Sequence, residues 1–253
     1  MTLSLETAFA THGIDHLSPS SCSTYVASPA MFVLSKVLKR PTSVGAAAHR
    51  GSAAESGVTH GLMHPEASLT ECVEIAQETF ARLTALSTDP RLDKEREAVS
   101  GFVEQALRTL KPYGVPTELQ SRIELKIEGL SVPIMGYLDY AFGNVVVDLK
   151  TTHAVPSKIS TNHARQVALY AAAKGGGATG RLAYVSTKKS AVYELENVPE
   201  HVKALGEIGK AIQKFLSISA DPKELAQLVI PDVDSFYFND PITRQHAFEV
   251  WGV

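Results

Sequence analysis

Between Gln120 and Thr152 the chain drops the helical spacing of its apolar residues and takes up strand spacing. In "QSRIELKIEGL", Arg122, Glu124, Lys126 and Glu128 alternate with Ile123, Leu125 and Ile127. That alternation is the pattern of a strand with one face in a core and the other in water. "SVPIMGYLDYAF" and "VVVDLKTT" read as two further strands, joined by Gly143-Asn144 as a two-residue turn. This block constrains the fold most, because the long segments before it and the end of the chain read helical. Helices at both ends around a run of strands imply an α+β protein with a mainly antiparallel central sheet.

The helical segments carry their own stop and start signals. Ser18-Pro19 opens a segment that Pro41 closes, and a helix is expected from about Gly51 to His64. Ser68 and Glu71 are spaced as a capping box, and Asp89-Pro90 opens a segment running to Leu110 before "KPYGVP" breaks it. After the strands, "TNHARQVALYAAAK" returns to helix and stops at "GGGATG", and "RLAYVSTKKSAVYELE" reads as a second hairpin. Beyond Pro199, Asp221-Pro222 with Glu224, and then Asp240-Pro241, mark two more helix starts, the last helix ending at Gly252. No repeat or low-complexity linker interrupts the sequence. A single domain over 1–253 is therefore expected, with a helical N-terminal portion over about 1–115 and C-terminal helices over about 199–253.

Composition excludes several classes. An apolar fraction of 44% with 20% charged residues is that of an ordinary globular protein. Cys22 and Cys72 are too few for a disulfide framework and have no metal-ligand spacing. The start "MTLSLETAFATHG" lacks a basic segment followed by an apolar one, and no apolar run approaches a membrane span, so a reducing cytoplasm is the expected compartment. With 24 Lys+Arg against 27 Asp+Glu, the charge balance gives nucleic-acid binding no positive support.

The chemistry concentrates on the first hairpin. With Gly143-Asn144 as its turn, Tyr140 faces Val147 and Asp139 faces Asp148. Directly opposed side chains have Cβ atoms about 4.5–5.5 Å apart, and like charges there repel. Lys150 lies two residues past Asp148 and so on the same face. Two converging carboxylates beside a lysine need a cation or a shared proton. Carboxylate oxygens with room for water suit Mg²⁺ or Mn²⁺. Taken alone, Asp-x-Lys is weak, since two edge aspartates splayed into solvent beside an ordinary lysine would account for it.

The neighbours change that weighting. Gln166 and Tyr170 stand at i and i+4 on the next helix, and Glu55 lies on a helix following "RGSA". Together "LSPSS", "RGSAAE" (Arg50 to Glu55), "GYLD" (Gly136 to Asp139), "VDLKTT" (Val147 to Thr152) and "QVALY" (Gln166 to Tyr170) resemble the PD-(D/E)XK nuclease superfamily, specifically its RecB-like, Cas4-like exonuclease branch. The motifs cover roughly the first two-thirds of the chain in the family's order, and their combination is far more specific than any one of them.

The resemblance implies a restriction-endonuclease-like core and a metal-dependent DNA exonuclease serving recombination, repair or replication-associated processing. It assigns Asp139 and Asp148 to the metal, helped by the backbone carbonyl of Leu149. It makes Lys150 the catalytic lysine, which orients or activates the attacking water, and Gln166 and Tyr170 the residues that support it and contact DNA. Glu55 sits where many relatives have a histidine that reaches the metal; a carboxylate there would strengthen Mg²⁺ binding or serve a second ion. The four-cysteine iron–sulfur cluster of Cas4 relatives is not expected from two cysteines. DNA with a free end is the implied partner, with a second copy of the chain or a recombination protein as further candidates, and no membrane. The rival is a non-catalytic DNA-end or protein-binding module, favoured by the acidic charge and the Glu55 departure. Intact Asp139, Asp148, Lys150 and Gln166 argue against it. Hydrolysis of RNA or nucleotides is a third option.

Other signals are weaker. His60 and His64 are spaced as a zinc pair but lack a third ligand, so surface or packing histidines are the better reading. "GGGATG" follows a helix and suits a C-cap and turn better than a phosphate loop. Lys188 and Lys189 at the tip of the second hairpin are ordinary exposed lysines, and Phe236, Tyr237, Phe238 and Trp251 are expected to pack in a core.

Overall fold

The computed structural model describes residues 3–253. In chain order the elements begin with α1 (Ala8–Thr11), α2 (Pro19–Ala27), α3 (Pro29–Phe32), α4 (Ala46–Met63), α5 (Leu69–Leu83) and α6 (Leu92–Leu110). There follow β1 (Glu118–Leu125), β2 (Ile134–Phe142), β3 (Val145–Thr151), α7 (Thr161–Lys174), β4 (Thr179–Val185) and β5 (Ser190–Glu194). The chain ends with α8 (Val198–Leu216), α9 (Pro222–Ala226) and α10 (Pro241–Trp251). The strands form one five-stranded sheet in the order β1-β2-β3-β4-β5, flanked by helices, which is the expected class. Among the described residues no helix is long and apolar enough to cross a membrane. Two compact units share the chain: Met1–Ser43 with Arg122–Gly136 and Asn197–Val253, and Val44–Ser121 with Tyr137–Glu196.

In the first unit α2 starts as the sequence indicates. The Ser18 hydroxyl accepts the Ser21 amide at 3.1 Å, and the Ser21 hydroxyl accepts the Ser18 amide at 2.8 Å. The segment expected to run on to Pro41 breaks instead at Ser28. Proline disfavours the helical conformation in the residue before it. Ser28 accordingly takes φ −153° and ψ 87°, and its hydroxyl caps α3 through the Met31 amide. Asp221 caps α9 through the Lys223 amide at 2.8 Å, but Glu224 does not complete a box, because its carboxylate accepts from the Ser219 hydroxyl. Phe238 is fully buried and the Trp251 indole donates to the Ala226 carbonyl at 2.8 Å, as core residues should. Phe236 departs from that expectation and is exposed.

In the second unit the hairpin has the register its turn dictates: Phe142 pairs with Val145, Ala141 with Val146 and Tyr140 with Val147. β4 then lies parallel to β3, reached through α7, and β5 returns antiparallel. The two-residue side-chain period sorts β3 onto two faces. Val147 and Leu149 join Val58, Phe80, Phe102 and Val103 of α4, α5 and α6 in a dry core. Val146, Asp148 and Lys150 face the other way, toward α7. Gly180, the β4 partner of Val146, lets α7 approach closely, since a Cβ there would fall 2.3 Å from a Val167 methyl.

Two helix starts differ from the sequence reading for one reason. α4 begins at Ala46 rather than Gly51, and its first amide is capped by Asp89 at 2.9 Å, a residue 43 positions away. The other Asp89 oxygen accepts the Arg91 amide at 3.0 Å in the turn before α6, which starts at Leu92 with Arg91 at its cap position. Hydrogen bonding from Arg91 holds the Asp89 carboxyl well below the usual carboxylate range. Ser68 accepts the Glu71 amide at 3.1 Å, but the reverse half of that box is missing because Glu71 pairs with His60 at 2.8 Å.

Candidate active site

The residues singled out on the hairpin and its flanking helices all belong to the second unit, and the fold gathers them. Asp148 is fully buried on the α7 face of β3. Lys150, on the same face, places Nζ 2.8 Å from Asp148 Oδ2. Asp139 does not splay into solvent: its Oδ2 accepts the backbone amide of Leu149 at 2.8 Å, which ties it across the hairpin. The Leu149 side chain meanwhile anchors β3 in the helical core.

Helix α4 brings Glu55, whose carboxylate accepts from the Gln120 side-chain amide. Gln120 adopts a left-handed φ of 46°, uncommon for any residue but glycine or asparagine, at the point where β1 meets Glu55. The Tyr140 hydroxyl contacts Thr59 at 3.1 Å and donates to the Glu55 carbonyl at 3.4 Å, fixing this turn of α4 to β2. On α7, the Gln166 amide donates to the Tyr170 hydroxyl at 2.7 Å.

These groups share one electrostatic environment. Burial, then the charges of Asp148 and Glu55, push the Asp139 carboxyl well above the usual carboxylate range. Glu55 is also raised, by burial and then by Asp148. Burial alone would lower the Lys150 ammonium, but Asp148 and Asp139 outweigh it, so the lysine holds its proton more firmly than usual. Tyr170 is pushed up by burial and then by Asp148.

The donor set fits a divalent cation. Asp148 is ion-paired to Lys150, yet neither of its buried oxygens receives a hydrogen bond of good geometry. Oδ2 is met by the Lys150 ammonium, but Oδ1 is left with no partner, and a buried carboxylate oxygen in that state is costly unless a cation meets it. Among the described residues no group of three or more His, Cys, Asp or Glu side chains is disposed as a metal cage. Mg²⁺ does not need one, since it is commonly held by one or two carboxylates and keeps several waters. The His60 and His64 rings lie 4.6 Å apart and tilted, and His60 is engaged by Glu71, in keeping with surface or packing histidines.

A pH effect follows with a definite sign. A carboxyl raised in the fold favours the folded state below its unfolded pKa of about 3.9, and that advantage is lost as pH rises through the raised value. Asn keeps an oxygen for the Leu149 amide but has no proton to lose. In chelator, Asp139→Asn should therefore stabilise the protein, by more at about pH 8 than at about pH 4. Melting curves across that range check it; a gain that shrinks with rising pH would show that Asp139 is not destabilised by ionisation.

One network here escaped the sequence reading. Arg50, which the sequence marks only as the first residue of "RGSAAE", is buried and pairs with buried Glu95 of α6. Its guanidinium also reaches the Thr151 carbonyl and hydroxyl, both at 3.3 Å, and lies 4.3 Å over the Phe102 ring. His153 contacts Glu95 at 3.2 Å. These contacts bind α4 and α6 to the end of β3 that carries Lys150. Gly175, Gly176 and Gly177 all take positive φ at the end of α7, which is the turn expected of "GGGATG".

A helix-flanked mixed sheet with acidic residues and a lysine at the ends of a central hairpin defines the restriction-endonuclease-like class. The sequence matches the PD-(D/E)XK nuclease superfamily over residues 16–235, and the chain belongs to that superfamily. Its members are generally nucleases and typically use divalent metal ions. Among solved structures the chain is similar to the crystal structure of SSO0001, at 17% identity with a TM-score of 0.34, over 64% of this chain and 85% of that one. No curated protein matches the chain significantly.

Proposed function

We propose that this chain is a Mg²⁺- or Mn²⁺-dependent deoxyribonuclease of the RecB-like, Cas4-like branch, an exonuclease acting on DNA ends in recombination, repair or replication-associated processing. The observation that carries this reading is the buried Asp148 carboxylate, whose Oδ2 is paired with Lys150 at 2.8 Å while its Oδ1 has no partner, beside an Asp139 pinned by the Leu149 amide. Asp139 and Asp148, with the Leu149 carbonyl, would hold the ion, and Glu55, in the field of Asp148, would join them only by moving from its place beside Gln120. When bound, the ion supplies an acidified water and charge neutralisation at the scissile phosphate.

Each remaining group has a task. Lys150, kept protonated by its two aspartates, orients the attacking water and stabilises negative charge developing on the phosphate. Tyr170, itself held by Gln166, stands in the field of Asp148 and Lys150, and the pair supports the lysine and contacts the strand. Glu55 is the departure from relatives with a histidine, and its raised proton affinity reflects burial beside Asp148. The slight net negative charge of −3 favours the rival reading, a binding module without catalysis.

End-labelled single- and double-stranded DNA, incubated with Mg²⁺ or with excess chelator, separates the two. Cleavage should require the ion, and stepwise shortening from labelled ends would mark an exonuclease. Mg²⁺ should also raise the melting temperature by mass action, as a ligand of the folded state does. Undiminished cutting in chelator would sink the metal assignment, and binding without cutting in Mg²⁺ and Mn²⁺ would favour the module.

A further inference from the structure

Helix α7 carries another polar side chain aligned with Gln166 and Tyr170. His163 precedes them by three and seven residues, spacings that place side chains on one face of an α-helix. Its Nδ1 lies 2.7 Å from the Tyr184 hydroxyl. Tyr184 is buried on β4 and is the parallel-register partner of Lys150. The imidazole is thus tied to the residue beside the lysine.

The hydrogen bonds also orient the ring. The Ser160 amide donates to the Tyr184 hydroxyl at 3.4 Å. We assign the hydroxyl proton to Nδ1, the amide occupying the oxygen as an acceptor, which leaves the imidazole proton on Nε2. Burial, then the positive charge of Lys150, lowers the His163 pKa and favours the neutral ring this arrangement needs. Among the described residues Nε2 has no protein partner, and it is not sealed from solvent.

We propose that His163 is a substrate-contacting residue whose Nε2–H donates to a phosphate oxygen of the DNA strand held beside Lys150 and Asp148. The proposal rests on reading this site as one that handles DNA. A phosphate oxygen is the acceptor that chemistry at Lys150 and Asp148 brings to this neighbourhood, and a neutral N–H can meet it without adding another charge. Tyr184 and Ser160 act as positioning residues for the ring.

The test measures kcat and KM for cleavage of one defined DNA, and its Kd on a Lys150→Ala background where cutting is slow. A hydrogen bond to a charged acceptor is worth enough that His163→Ala should raise KM and Kd about 10- to 100-fold. kcat should change only a few-fold, because ground state and transition state use the contact alike. His163→Gln, whose amide nitrogen reaches the place of Nε2, should restore most of the affinity. His163→Asn, which reaches only the place of Nδ1, should not. Melting temperatures of the same variants exclude a mere loss of fold.

Unchanged Kd in His163→Ala, or equal losses in the Gln and Ala variants, would overturn the proposal. If the wild type binds DNA but never cuts it, the nuclease reading fails while the affinity series still decides His163. If the wild type cuts and Lys150→Ala does not, while His163→Ala keeps its KM, this inference alone fails. A wild type that binds no DNA overturns both.

Discussion

Lys150→Ala should bind DNA ends in Mg²⁺ much as the wild type does, yet cut them about 10²- to 10³-fold more slowly in single turnover, the scale expected when a fixed electrostatic donor is lost. The reason lies in its placement. Lys150 is partly exposed, points away from the dry core and is kept charged by Asp148 and Asp139. Removing it leaves no apolar cavity, so the fold should survive. It does strip Asp148 of its ion-pair partner, which should tighten the ion rather than release it. Lys150→Arg should not rescue, because a planar guanidinium cannot place one compact ammonium at the water. Comparing single-turnover rates with DNA affinity for both variants is decisive. Near-normal cutting by Lys150→Ala would remove the lysine from the mechanism and put the binding-module reading ahead.

Glu95→Ala should cost about 3–5 kcal/mol of folding stability, the range for breaking a buried ion pair from one side. The Arg50 and Glu95 side chains are only 4% and 3% exposed, so the orphaned guanidinium could not turn to water. Replacing both, as in Arg50→Met with Glu95→Leu, should recover most of the loss, since packed apolar groups carry no desolvation penalty. Urea unfolding of the single and double variants gives the comparison. A single variant that loses less than about 1 kcal/mol would class the pair with exposed salt bridges. Because Arg50 also holds Thr151, next to Lys150, Glu95→Ala should slow cleavage as well.

The hairpin is legible in the sequence because its determinants are local. A two-residue turn and a side-chain period of two leave one register, which sets Tyr140 against Val147 and aligns Asp148 with Lys150 on one face. The same holds for the caps by Ser18 and Asp240, whose side chains bond amides three residues on. Where capping depends on a distant partner, the local signal is incomplete: Asp89 holds the turn before α6 through the Arg91 amide and also caps α4, 43 positions away. The capping boxes at Glu71 and Glu224 fail similarly, each glutamate having found a partner other than its expected amide.

By itself, then, the sequence determined the class of fold, the order of helices and strands, and the residues of the Asp-x-Lys hairpin, all of which follow from periodicity and neighbours within a few positions. The tertiary structure alone decided the parallel pairing of β3 with β4, the Arg50–Glu95 pair, the grip of Gln120 on Glu55 and the orientation of His163 by Tyr184. Those contacts join residues from 21 to 65 positions apart, where no local preference selects one donor over another. Their partners are chosen by which side chains the packed sheet and helices bring together.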